Sequence, residues 1–203
     1  MAGSRLQIAP IALAVCAAAV LTAVSQARPS TSYLIQASAT FQRLGDYWVS
    51  RNPSFEGAIE ALGEPSSCRL VGGSPTVAYA SWRSLGVRMH LVTFGGMPTG
   101  ETGCTAPDEI HVSTIRVTGK RWYTSKMLQV GSSVARLRRL YPKAIANKGV
   151  RGWYGRGYWL VTARRPCLGI CGGVRWETAP VLVAETRAGR VSSIVFVVGA
   201  QGE

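Results

Sequence analysis

Val130-Gly131-Ser132-Ser133-Val134-Ala135-Arg136-Leu137-Arg138-Arg139-Leu140-Tyr141-Pro142 reads as one capped helix with a hard stop. Ser132 or Ser133 offers its hydroxyl to an early helical N–H. Val134, Leu137, Leu140 and Tyr141 form an apolar stripe at helical spacing. Pro142 cannot continue the helix. Arg136, Arg138, Arg139 and Lys143 face elsewhere, and cations near a helix C-terminus are favourable without any ligand. Further on, Val181-Leu182-Val183-Ala184-Glu185-Thr186 and residues 191–198 flank Arg187-Ala188-Gly189-Arg190, a hairpin with glycine at its turn. The whole stretch predicts a helix feeding an antiparallel sheet, and so an α+β fold.

The chain before it has a similar outline. Asn52 is placed to cap a short helix and Pro53 suits its first turn, with Phe55, Ala58, Ile59 and Leu62 on one face. Gly63-Glu64-Pro65 ends it. Strands are expected over 68–71, 76–82, 87–94 and 110–117, with Arg83-Ser84-Leu85-Gly86 as a hairpin turn. Val87, Met89, Leu91 and Thr93 alternate with Arg88, His90 and Val92, so His90 projects from the face opposite the core. The alternation breaks at Thr114-Ile115, which predicts a bulge or burial on both faces. Residues 95–108 and 164–180 read as loops, and 158–163 as a strand. The expected architecture is an antiparallel sheet with two short helices. Its halves, 40–118 and 119–203, are either tandem helix-plus-hairpin modules or one domain.

The first 27 residues read as a secretory signal peptide: Arg5, an apolar run from Leu6 to Val24, and Ser25-Gln26-Ala27 as a cleavage site. Left uncleaved, the run would be a membrane anchor. Residues 28–39 are rich in Ser, Thr and Ala and read as a flexible tether. The exported portion keeps Cys68, Cys104, Cys167 and Cys171, an even count that reads as disulfides. Cys68–Cys104 and Cys167–Cys171 are the favoured pairs. A zinc site is disfavoured, because no second close Cys pair exists and neither His90 nor His111 has ligand spacing. The chain carries 23 basic residues against 10 acidic, a net charge of +13, and only four of the basic residues are lysines. Such an excess speaks to solubility or to attraction toward an anionic surface. For an exported chain that surface would be cell-wall polymer or lipid headgroups, not nucleic acid. Membrane contact is expected only if the signal segment stays uncleaved.

Catalytic signals are thin. G-x-S-x-G, HExxH, a P-loop and a dinucleotide fingerprint are all missing. Cys167-x-x-x-Cys171 is one residue longer than the redox spacing. Glu56, Glu60 and Glu64 stack along the first helix as a solvated stripe. Asp108, Glu109 and His111 cluster at a strand start and are the residues a weak hydrolase would use. No metal and no cofactor is expected. The binding signal is aromatic. Trp153, Tyr154 and Tyr158 sit among Gly152, Gly155 and Gly157, with Arg151 and Arg156 as a cationic rim. Aromatic side chains give large contact area at small rotamer cost. Exposed together, they would form a surface for another protein; otherwise they cover the core beside the second helix.

The helix entered through Val130-Gly131-Ser132-Ser133-Val134, with strands ending Gly189-Arg190-Val191-Ser192-Ser193-Ile194, resembles the small exported αβββ modules of the SmpA/OmlA type. Two in tandem resemble the β-lactamase-inhibitor-protein fold, over roughly Asn52 to Val198. Residues 122–131 resemble a segment of uncharacterised exported proteins of the actinobacterial, high-GC Gram-positive type. The resemblance implies action by protein–protein contact in the cell envelope or medium, without catalysis. It carries no site residue over.

Overall fold

Short-range signals set the ends of both helices. The computed structural model describes residues 32–71, 76–93, 110–150, 153–166 and 176–198. Helix α2 (Val134–Leu140) starts at Ser133, whose hydroxyl accepts from the Arg136 N–H, and buries Leu137. Helix α1 (Phe55–Leu62) is capped by Ser54, which accepts from the Gly57 N–H, and not by Asn52 as the sequence suggests. The reason is tertiary. The Pro53 carbonyl accepts from the Val112 N–H at 2.7 Å and Ser54 bridges to His111, so the chain stays extended until Ser54. Asn52 turns back instead, and its Oδ1 accepts from the Ser54 N–H at 3.2 Å. Gly63, with φ of 78°, ends α1 in a conformation that glycine tolerates.

The remaining elements are strands: β1 (Leu34–Ala37), β2 (Gln42–Leu44), β3 (Ser67–Leu70), β4 (Thr76–Trp82), β5 (Val87–Thr93), β6 (His111–Val117), β7 (Tyr123–Thr124), β8 (Ile145–Asn147), β9 (Gly157–Pro166), β10 (Trp176–Arg187) and β11 (Arg190–Val197). Eight of them form one antiparallel sheet in the order β3-β4-β5-β6-β11-β10-β9-β8. This order has internal symmetry. Helix α1 is followed by the meander β3 to β6, and α2 by the meander β8 to β11. The two meanders join through their last strands, β6 against β11. Each helix is thus followed by a four-stranded meander, and the two meanders are fused into one continuous sheet.

A second, mixed sheet runs β2-β1-β7. Its middle strand falls inside the segment read as a tether. Ile35 on β1 is 0 % exposed and pairs with Leu44 on one side and Thr124 on the other. Serine and threonine obscured the one apolar pair, Leu34-Ile35, that anchors the strand. Residues 1–27, read from the sequence as a signal peptide, lie outside the described residues, as do residues 28–31. Among the described residues no helix is long and apolar enough to cross a membrane.

Register decides which side chains meet. On the first face of the large sheet lie Ala80 and Trp82, Met89 and Leu91, Ile115 and Val117, Ile194 and Phe196, and Leu182 and Ala184. These pack with Phe55, Leu137, Ile35 and Trp122 into the main core. Phe55 meets Trp82 edge to face at 6.2 Å. Two irregularities adjust the sheet. The β5–β6 register shifts between His90 and Leu91, opposite Ser113, one residue from the expected bulge. The β9–β10 register shifts next to Pro180, which has no N–H to give the ladder. That proline hides the first part of β10, so the strand begins at Trp176, inside the stretch read as a loop.

Cys68 lies half-buried on β3. Cys104, Cys167 and Cys171 lie outside the described residues, as does the loop over 95–108.

Candidate functional site: a cleft on the second face of the sheet

Strand alternation sends the other half of the side chains to the second face, which neither helix covers. Tyr79 on β4 lies opposite His90, and Arg88 on β5 lies opposite Arg116 on β6. Glu185 on β10 lies opposite Ser193 on β11. Val150 and residues 153–155 lie over this face, and the Tyr154 N–H donates to the Val150 carbonyl at 3.1 Å. There Tyr154, Val183, Val195 and Val197 form a small second core with Trp159 packed against it. Beside that core lies a cleft of about 370 Å³, lined by Tyr79, Arg88, His90, Thr114, Arg116, Val150, Trp153, Tyr154, Gly155 and Glu185.

Glu185 holds the segment in place. One carboxylate oxygen accepts from Arg116 at 2.7 Å and from the Gly155 N–H at 2.5 Å. The other accepts from Arg116 Nε at 3.2 Å and from the Ser193 hydroxyl. Arg116 also reaches the Trp153 carbonyl at 3.5 Å. Burial alone would raise the Glu185 pKa, but bonds from Arg116, Ser193 and Gly155 outweigh it and hold the carboxyl below its ordinary value. A single carboxylate thus ties two strands to the loop that carries Trp153.

His90 is held by Ser113. The Ser113 hydroxyl donates to the His90 carbonyl at 3.2 Å, and its oxygen lies 2.6 Å from His90 Nδ1. The short contact holds the ring through Nδ1, and the neutral ring has one donor and one acceptor nitrogen. Burial lowers the His90 pKa and favours that neutral form. Tyr79 packs on the ring at 5.0 Å. The cleft therefore offers the imidazole of His90 and the donors of Tyr79 and Arg88. Arg88 is exposed and forms no hydrogen bond or ion pair among the described residues. Trp153, 40 % exposed, stands at its margin with Val150, 47 % exposed.

The aromatic segment is not one surface. Trp153 faces solvent, whereas Tyr154 is 7 % exposed in the second core. Tyr158 packs against the main core, and its hydroxyl accepts from Arg138 at 2.8 Å. Arg156 is exposed, and its carbonyl accepts from the Thr186 N–H at 2.9 Å. Arg151 lies outside the described residues, as do Asp108 and Glu109. His111 is exposed at the start of β6, across from Val92. Glu56 and Glu60 are exposed on α1, and Glu64 just after it. Among the described residues no group of three or more His, Cys, Asp or Glu side chains is placed to hold a metal ion.

Sequence reasoning missed Tyr79, Arg88, Arg116 and Glu185. The signal was available in the alternation of β5, which sends Arg88 and His90 to one side. What the alternation omits is which distant strand supplies the partner. No family model, curated protein or solved structure matches the chain.

Proposed function

We propose that the chain is an exported, non-catalytic binding module that recognises another protein through the second face of its sheet. The observation that carries this reading is Trp153. It is a large aromatic side chain left 40 % exposed, on a backbone tied to the sheet through Glu185 and Arg116. Holding an exposed aromatic in place lowers the entropy lost on association. Arg88, unpaired beside it, adds a charge-assisted donor for an acidic group of the partner. The β-lactamase-inhibitor-protein-like and SmpA/OmlA-type modules that the sequence resembles act by contact. Export rests on residues 1–27 and on the four cysteines that remain after Ala27. The pairs Cys68–Cys104 and Cys167–Cys171 belong to this reading.

The test is covalent capture of partners from envelope and medium, comparing the parent chain with Trp153→Ala/Arg88→Glu. Circular dichroism establishes that the variant folds. The parent is expected to enrich a partner that the folded variant recovers about tenfold less well, the effect of losing roughly 1.4 kcal/mol at a contact centre. Equal recovery by the folded variant would overturn the reading. So would hydrolysis of an ester, peptide or glycoside that disappears with His111→Ala.

A further inference from the structure

Away from the cleft, the turn between β7 and α2 meets the start of β11 around a second hollow of about 850 Å³. Lys120, Gln129, Gly131, Ser133, Arg136 and Arg190 are among its lining residues, and no acidic side chain lines it. Two of its three cations are fixed by the main chain. Arg136 donates to the Met127 carbonyl at 3.2 Å, and Arg190 donates to the Gly131 carbonyl at 3.0 Å. Each guanidinium has five N–H donors, so each tie leaves most of them for other acceptors. Lys120 is exposed and has no partner among the described residues. Among the described residues no carboxylate forms an ion pair with the group: Asp46 is paired with Arg43, and Glu185 with Arg116. Three like charges held around one hollow repel one another, and an anion between them relieves that repulsion.

We infer that this hollow binds a polyanion through its phosphate or carboxylate groups, independently of the protein-binding face proposed above. Two pre-positioned guanidinium forks suit oxyanions better than a single mobile ammonium would. Lys120, Ser133, Arg136 and Arg190 are all exposed, which leaves room for a polymer to run across the site.

The experiment titrates the full mature chain with inorganic polyphosphate and, in a second arm, with poly-L-glutamate, at several salt concentrations. Binding of at least one polymer is expected, with a log–log salt slope of about two, as for about three charges on a single-stranded polyanion. The tighter arm identifies the oxyanion. Arg136→Glu/Arg190→Glu is expected to weaken binding at least about tenfold, roughly 1.4 kcal/mol. Lys120→Glu, which breaks no bond of the fold, is expected to weaken it in the same direction. Arg139→Glu/Lys143→Glu makes the same charge change outside the hollow and is expected to leave binding within about twofold. Equal losses in both double variants, or no binding of either polymer, would overturn the inference. Trp153→Ala/Arg88→Glu should bind polyanion like the parent, which separates failure here from failure of the protein-contact reading.

Discussion

The two faces of the eight-stranded sheet are buried by different means. On the first, Ala80, Met89, Leu91, Ile115, Ile194 and Phe196 are all 0 % exposed, covered by the helices and the small sheet. On the second, Val183, Val195 and Val197 pack with Tyr154 and Trp159, and polar side chains take over toward β5. The first face is held by summed apolar contact, which is spread over many residues and insensitive to pH. The second is held by a local hydrogen-bond network centred on Glu185. Burial built in this way leaves an edge where solvent, Arg88 and Trp153 meet, and that edge is the cleft.

Substitution should separate the two modes. Phe196→Ala on the first face removes a fully buried ring and is expected to cost about 3–5 kcal/mol by denaturant unfolding. Glu185→Ala on the second removes the acceptor for Arg116, Ser193 and Gly155. It is expected to cost about 1–3 kcal/mol, discounted because the Arg116 side chain is 37 % exposed. Equal costs would mean that the second face is no less integral than the first.

Acidity distinguishes the faces further. The folded-state pKa of Glu185 lies below its ordinary value, so the unfolded chain binds its proton first as pH falls. The stabilisation is complete above the unfolded carboxyl pKa and disappears as pH drops through the depressed folded one. The difference in unfolding free energy between the parent and Glu185→Gln should therefore shrink over that acidic window. A difference independent of pH would show that the Glu185 charge contributes nothing. His90, whose folded pKa is also lowered, remains in both chains and cancels in the comparison.

The first face was largely legible in the sequence, because its apolar residues repeat at the strand period: Val87, Met89 and Leu91 on β5 predict their own burial. The second face was legible only in part. His90 was assigned to the correct side, but its neighbours come from β4, β6 and β10, and no local pattern states that these strands meet. Glycine spacing drew attention to residues 152–158 for the right segment and an incomplete reason. Gly157 is required because a Cβ there would collide with the Ala184 carbonyl oxygen. Gly155 leaves its N–H open to Glu185. The aromatics between and beyond them divide between solvent, the second core and the main core according to strand register, which composition does not encode.

The smallest expected effect tests whether the two faces unfold as one unit. Strands β10 and β11 send alternate residues to both faces and are joined by Ala188 and Gly189, with φ of 48° and 73°. Two positive φ values in a two-residue hairpin loop make a type I′ turn, which favours Asn-Gly. Alanine in the left-handed region costs about 1 kcal/mol more than it would elsewhere. Ala188→Asn is therefore expected to raise stability by about 0.5–1 kcal/mol without touching either face. Amide exchange at Val195 and Phe196, adjacent residues with opposite orientations, provides the readout. Equal slowing at both amides and at Tyr154 means that the hairpin, the main core and the second core open together. Slowing at Val195 and Phe196 with no change at Tyr154 means that the segment bearing Trp153 opens on its own, with Glu185 setting how often the cleft loses its wall.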